Sequence, residues 1–201
     1  MDSRKRQMAQ KIKHAFVVTS AINSKFGVFS PAQRLTQTVD TIHSIKEKVP
    51  DAKIIVMECC GTAIEPEQAE TLRKISDVFI DCSRDPDVVA LYDSDNWDVV
   101  KNGTEIMCFG RVLSQLQADN ALADVDRVHK MSGRYTLSDN FDLERYEETP
   151  EKIFVKQRMM SQFPYELTLV ERQYMSRLWS WPVSLSNEVV TAYDKGLTYI
   201  A

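Results

Sequence analysis

Ala15-Phe16-Val17-Val18-Thr19 and Lys53-Ile54-Ile55-Val56-Met57-Glu58 are the two stretches that decide the fold. Each is apolar at successive positions, rich in β-branched residues and too short for a helix. Each therefore reads as a strand buried on both faces. Between them, Ser30-Pro31-Ala32-Gln33 announces a helix. The serine can cap, the proline suits the first turn, and the glutamine three residues on completes a capping box. Leu35, Val39, Ile42 and Ile45 then recur at helical spacing, and Pro50-Asp51 ends the run.

The pattern repeats outward from the second strand. Glu65-Pro66-Glu67 opens a helix that is acidic at its start and carries Arg73-Lys74 near its end, as the helix dipole prefers. Asp77-Val78-Phe79-Ile80-Asp81 reads as a third strand. Asn102-Gly103-Thr104-Glu105 reads as the capped start of a third helix, with Ile106, Phe109, Val112, Leu113 and Leu116 on its buried stripe. Asp126-Arg127-Val128-His129-Lys130-Met131 is a shorter, fourth strand.

Apolar strands alternating with amphipathic helices predict an α/β fold: a mainly parallel, Rossmann-like sheet with helices on both faces. In such a sheet the ligand lies beyond the carboxyl ends of the strands. The expected site walls are thus the loops after Thr19, Glu58 and Asp81 and the region around Lys130.

From residue 138 the character changes to an acidic, aromatic stretch without a clean period. Residues 152–155 and 167–170 read as strands, and Ser186-Asn187-Glu188 as the cap of a last helix ending at Gly196. The expected organisation is one domain over residues 1–201. Its nucleotide-binding half spans 14–137, and a smaller α+β extension spans 138–201.

A net charge of −4 argues against a protein that grips nucleic acid through its phosphates. The one basic cluster, Arg4, Lys5, Arg6, Lys11 and Lys13, reads as a leader. No apolar run approaches the ~20 residues that span a bilayer, and no secretory signal is evident, so a cytoplasmic location is expected. Cys59, Cys60, Cys82 and Cys108 make no metal-ligand spacing with His14, His43 or His129, and read as buried, reduced thiols. A dinucleotide fingerprint, a Walker loop, a nucleophile elbow and a zinc-protease motif are all absent.

Lys130-Met131-Ser132-Gly133-Arg134-Tyr135 is the most informative segment. Two cations bracket a glycine where the topology expects ligand. An arginine fork suits phosphate oxygens, lysine adds a compact charge, and Gly133 would let backbone approach an anion. A surface turn with solvated cations is the alternative.

The segments 16–22, 34–44, 53–58, 101–105 and 130–135 together resemble a group of small glycosyltransferases with the GT-A fold, found in viral and bacterial surface-polysaccharide gene sets. The Lys-x-Ser/Thr-Gly-Arg-Tyr string is the most specific part, and the resemblance covers residues 15–137. It implies a UDP- or GDP-sugar donor bound across the strand ends, and a glycan or other hydroxyl acceptor. Thr19, Ser20, Ala21 and Asn23 would line the nucleoside pocket, with Arg34 close by. Glu58 would face the base or ribose, unless it is a solvated carboxylate. Lys101, Asn102 and Glu105 would start the helix whose N-terminus favours a phosphate.

One departure matters. GT-A enzymes usually carry Asp-x-Asp at the end of the fourth strand, where this chain has Lys130 to Arg134; Asp93-Ser94-Asp95 spells the motif earlier. Either Lys130 and Arg134 neutralise the leaving diphosphate without a metal, or Asp93 and Asp95 fold back to hold Mg²⁺ or Mn²⁺. An inverting reaction also needs a carboxylate base. Asp139 is the expected one, although Asp142, Glu166 and Glu171 are equally available. Tyr165, Tyr174, Trp179 and Trp181 could stack on an acceptor sugar or pack in the core. A nucleotidyltransferase or other nucleotide-binding enzyme, and a non-catalytic binding module, are the competing readings.

Overall fold

The computed structural model describes residues 12–162 and 164–199. Arg4, Lys5, Arg6 and Lys11 lie outside the described residues. In chain order the elements are β1 (His14–Ser20), α1 (Pro31–Lys48), β2 (Lys53–Glu58), α2 (Pro66–Ile75), β3 (Val78–Asp81) and α3 (Pro86–Tyr92). A π-helical turn, Val99–Gly103, leads into α4 (Thr104–Ala118), followed by β4 (Arg127–Ser132). The C-terminal part holds α5 (Glu144–Glu148), β5 (Met159–Met160), α6 (Tyr165–Thr168), β6 (Arg172–Gln173), β7 (Leu178–Pro182) and α7 (Ser186–Leu197).

The main sheet has five strands in the order β3-β2-β1-β4-β7. The first four are parallel, and β7 runs antiparallel along β4. This is the expected α/β, Rossmann-like sheet with a smaller C-terminal part. Alternation along the strands explains their unbroken apolar character. Ala15, Val17, Ile55 and Met57 face Phe109, Val112 and Leu113 of α4. Phe16, Val18, Ile54 and Val56 face Ile42 and Ile45 of α1 and Leu72 of α2. With both faces covered, no strand position is left for a polar residue without a partner.

Helix starts follow local chemistry. Ser30 caps α1 through a full capping box with Gln33. Asp85 caps α3, a helix not anticipated from the sequence, by accepting the Asp87 N–H at 2.9 Å. The capping box expected at Asn102 does not form. Gly103 is already helical and makes no side-chain cap, because the π turn runs straight into α4. The backbone N–H groups around Glu105 are therefore not a free helix end for an anion.

The C-terminal part corrects two further expectations. Of residues 152–155, Phe154 alone pairs, in an isolated bridge with Ser180. Residues 167–170 are no strand: α6 ends there, and Leu169 takes a left-handed conformation. Arg127 holds this part to the sheet. Its fully buried guanidinium donates to Ser180 Oγ at 2.9 Å and to the Pro150 and Lys152 carbonyls at 2.8 Å each. Among the described residues, no helix is long and apolar enough to cross a membrane.

Trp179 and Trp181 lie on β7, and Trp181 is fully buried, with its indole N–H donating to Ser186 Oγ at 3.0 Å and its ring edge-on to Phe109. It is core, not an acceptor platform. Truncating such a residue leaves a large cavity and costs about 3–5 kcal/mol. Trp181→Ala should therefore lower the melting temperature by about 6–20 °C, taking roughly 2–4 °C per kcal/mol for a chain of this size. A shift below about 2 °C would show that β7 lies outside the cooperative core.

Candidate functional site

Topology singles out one edge of the sheet. From β1 the chain steps outward to β2 and β3, then returns through α4 to β4 on the other side of β1. Neighbouring connections therefore diverge at the carboxyl ends of β1 and β4, and a crevice opens there. It is narrow, with a cavity volume of about 60 Å³. Thr19, Ser20 and Ala21 form one wall and Ser132, Gly133 and Arg134 the other; Arg34 and Thr38 of α1, Tyr92 of α3, and Lys101 and Glu105 close the rest.

Arg34 is only 8% exposed and donates to the carbonyls of Ala21, Phe26 and Phe29 at 3.3–3.4 Å. Gly27 makes room for it: at a φ of +140° it takes a conformation open to glycine, and a Cβ there would run into the guanidinium. Burial first, and the neighbouring Arg134 second, make Arg34 less basic than usual. Arg134 is exposed, 5.9 Å over the ring of Tyr135, and Lys101 is exposed, 5.6 Å over Trp97. Among the described residues, none of these three cations forms an ion pair.

Lys130 departs from expectation. It is 2% exposed, lies 2.6 Å from Glu105 Oε1 and donates to the Ser176 carbonyl at 2.9 Å. It does not line the crevice. Lys130 points under α4 while Arg134, beyond the strand end, turns outward; the two do not converge on one anion. Glu105 is the only carboxylate of the crevice lining, and Lys130 neutralises it. Gly133 also has a structural reason. A Cβ on it would meet the Thr19 carbonyl at 2.9 Å and Thr38 Oγ1 at 3.0 Å, so β4 could not close against β1 and α1.

The remaining candidates divide. Thr19 donates to Glu105 at 3.3 Å. Asn23 bonds the Ala63 carbonyl at 2.8 Å and does not line the crevice. Asn102 bonds Asp98 and lies outside the crevice as well. Asp93 is the C-cap of α3, and Asp95 sits 3.7 Å from Lys25; neither lines the crevice. Among the described residues no group of three or more His, Cys, Asp or Glu side chains comes together to hold a metal ion. Asp93 and Asp95, the pair expected to hold Mg²⁺ or Mn²⁺, thus stand apart from the crevice lining. Asp139, the expected base, does not line the crevice; it is exposed and paired with Lys48 at 2.7 Å. Lys48 ends α1, about 20 Å along the helix from Arg34 at 1.5 Å per residue.

Glu58 is neither solvated nor turned to a ligand. It is fully buried and accepts from Ser20 Oγ at 2.7 Å, Ile22 N at 3.1 Å and Cys60 N at 3.2 Å, so it clamps the β1 and β2 exits together. The four thiols are free, and Cys59 and Cys60 line the crevice, with Cys60 Sγ donating to the Tyr92 hydroxyl at 3.1 Å. Tyr92 was missed in the sequence because α3 was; Asp85-Pro86, an N-cap followed by proline, was the available signal.

No family model matches the chain, and no curated protein matches it. Among solved structures it is similar to 4-diphosphocytidyl-2C-methyl-D-erythritol synthase from Anaerococcus prevotii DSM 20548. The identity is 13% and the TM-score 0.46, over 93% of this chain and 76% of that one.

Burial raises the Glu58 carboxyl from 4.5 to about 7, against the hydrogen bonds from Ser20, Ile22 and Cys60 that hold it down. The folded state thus binds this proton more tightly than the unfolded chain. Stability from the group is complete below pH 4.5 and is lost as the pH rises towards 7, on the order of 3 kcal/mol in all. Glu58→Gln removes the titration, so the variant should gain stability relative to the parent between pH 5 and pH 7.5 in urea melts. Parallel curves for the two proteins would refute it.

Proposed function

We propose that the chain is a transferase that binds a nucleoside-diphosphate sugar in the crevice and passes the sugar to a hydroxyl acceptor, on a GT-A-like sheet. One observation carries this reading: Arg34, Lys101 and Arg134 surround a crevice at the topological switch point with no carboxylate of their own. Unpaired cations around a concave site call for an anion, and two guanidinium forks suit the oxygens of a diphosphate. As the bond to the sugar breaks, negative charge grows on the departing diphosphate. Preorganised cations in a partly dry site can lower that barrier by several kcal/mol. Arg34, locked by three carbonyls, is the fixed member; Arg134 and Lys101 are free to close on the ligand. Lys130 takes no part in this contact, since its charge belongs to Glu105.

Nucleotidyl transfer, on a triphosphate with Mg²⁺, is the alternative, and the same cations would serve it; which donor binds separates the two. A thermal-shift screen should find that a UDP- or GDP-sugar raises the melting temperature. At a hundredfold excess over Kd the gain is about 2.7 kcal/mol, or roughly 5–10 °C. Arg134→Ala and Lys101→Ala, both at exposed positions, should leave the ligand-free protein nearly unchanged and weaken binding about 10–100-fold each. Stabilisation by UTP or CTP with Mg²⁺, and by no nucleotide sugar, would transfer the assignment to nucleotidyl chemistry. No response to any nucleotide, with or without Mn²⁺, would end the nucleotide reading.

A further inference from the structure

Behind Glu105 a second hollow opens, of about 410 Å³. Ile106, Ala192 and Tyr193 give it an apolar floor, and Asn102 and Ser176 place polar groups at its rim. Tyr193 is held rigid by stacking on Phe109 at 4.6 Å. Glu105 is the only charged residue of this lining and the only residue shared with the nucleotide crevice. It is the partition between the two.

The carboxylate is also held asymmetrically. Lys130 Nζ at 2.6 Å and Thr19 Oγ1 at 3.3 Å both bond Oε1. Among the described residues no hydrogen bond reaches Oε2, and the side chain is 32% exposed. One oxygen is thus anchored and the other is open, at the one place where both cavities meet.

We propose that the hollow is the acceptor site, that it takes a pyranose ring bearing a free hydroxyl, and that Glu105 is the catalytic base. The proposal rests on the donor reading given above. The apolar C–H face of a pyranose fits Ile106 and Tyr193, while its hydroxyls can reach Asn102 Oδ1 and the Ser176 hydroxyl. In the reaction the acceptor O–H proton passes to Glu105 Oε2 as the acceptor oxygen bonds the anomeric carbon of the donor. The bond from that carbon to the diphosphate oxygen breaks, and its electron pair leaves on the nucleoside diphosphate. Attack from the side opposite the leaving group inverts the anomeric centre. Lys130 is a positioning residue that fixes Oε1 and keeps the open oxygen aimed.

The test has three parts on the full chain. UDP and GDP binding is measured first by thermal shift. Saturation-transfer NMR then follows methyl β-D-glucopyranoside and methyl α-D-mannopyranoside with the bound nucleotide present. Ala192→Trp, an exposed helix position that fills the hollow, should abolish the glycoside signal and leave nucleotide binding within about threefold. Finally, nucleotide release from UDP-glucose, UDP-galactose and GDP-mannose is followed with each glycoside. General-base removal typically costs 10²–10⁴-fold, so Glu105→Gln should lose at least about a hundredfold in kcat and the acidic limb of its pH profile, while still binding nucleotide. That single change leaves Lys130 buried without its partner, so Glu105→Gln with Lys130→Met, which removes both charges, must show the same loss. If no nucleotide binds, the donor reading fails and the proposal with it. If nucleotide binds but neither glycoside shows saturation transfer, or Ala192→Trp leaves the signal intact, the donor reading stands and the acceptor site is refuted. A Glu105→Gln enzyme that keeps more than a tenth of its rate, or keeps the acidic limb, refutes the base.

Discussion

β1 has parallel neighbours on both sides and core on both faces, and the rest of the molecule is arranged around that confinement. Residues 15–18 are at most 1% exposed. A strand so enclosed can present polar groups to a ligand only where it ends. Its last residues, Thr19 and Ser20, are already partnered by carboxylates from α4 and β2. Strand order does the remainder. Because β2 and β4 flank β1 and their connections run apart, a crevice opens at the edge where these hydroxyls emerge. Fold and site are in this sense one constraint.

The two carboxyl groups at that edge, Glu58 fully buried and Glu105 partly exposed, have different partners. Glu58 meets only neutral donors, so burial dominates and the group holds its proton up to about pH 7. Glu105 meets Lys130, a full positive charge at 2.6 Å. Removing Glu105 would leave the buried Lys130 ammonium without its counter-charge, which is costly. The Lys130–Glu105 pair is therefore a strut between β4 and α4, and it offsets the one carboxylate of the crevice lining.

Much of the α/β scaffold was legible in the sequence because its signals are local. Unbroken apolar runs gave β1 and β2, and Ser30 with Gln33 gave the start of α1. What was lost depended on tertiary context. Residues 102–105 carry the pattern of a capping box, yet the preceding turn is itself helical, so the cap has no free end to satisfy. β7 was overlooked because Leu178-Trp179-Ser180-Trp181 is short and lies in an irregular region. Its pairing with β4 supplies what composition does not. For the site, reading Lys130 and Arg134 as one cationic clamp failed at the strand end. Lys130 is still on the strand and obeys its alternation, which turns it under α4. Arg134 is past the strand and free of it. Arg34 was in the expected set, whereas Tyr92 and Thr38 came to the crevice through packing that no spacing rule encodes.

Net charge and local charge point in opposite directions here, and the difference is informative. The chain carries −4 overall, while the crevice lining holds three cations and one carboxylate already neutralised. At physiological ionic strength exposed charges are screened beyond about 8 Å, so the acidic surface hardly reaches into the crevice. The field a small anion meets there is that of the nearby cations, sharpened by the low-dielectric walls around them. A polyanion such as a nucleic acid, which must lie across a wide surface, meets the acidic average instead. Under the proposed function, this difference of scale favours a compact phosphate ester over a phosphate polymer.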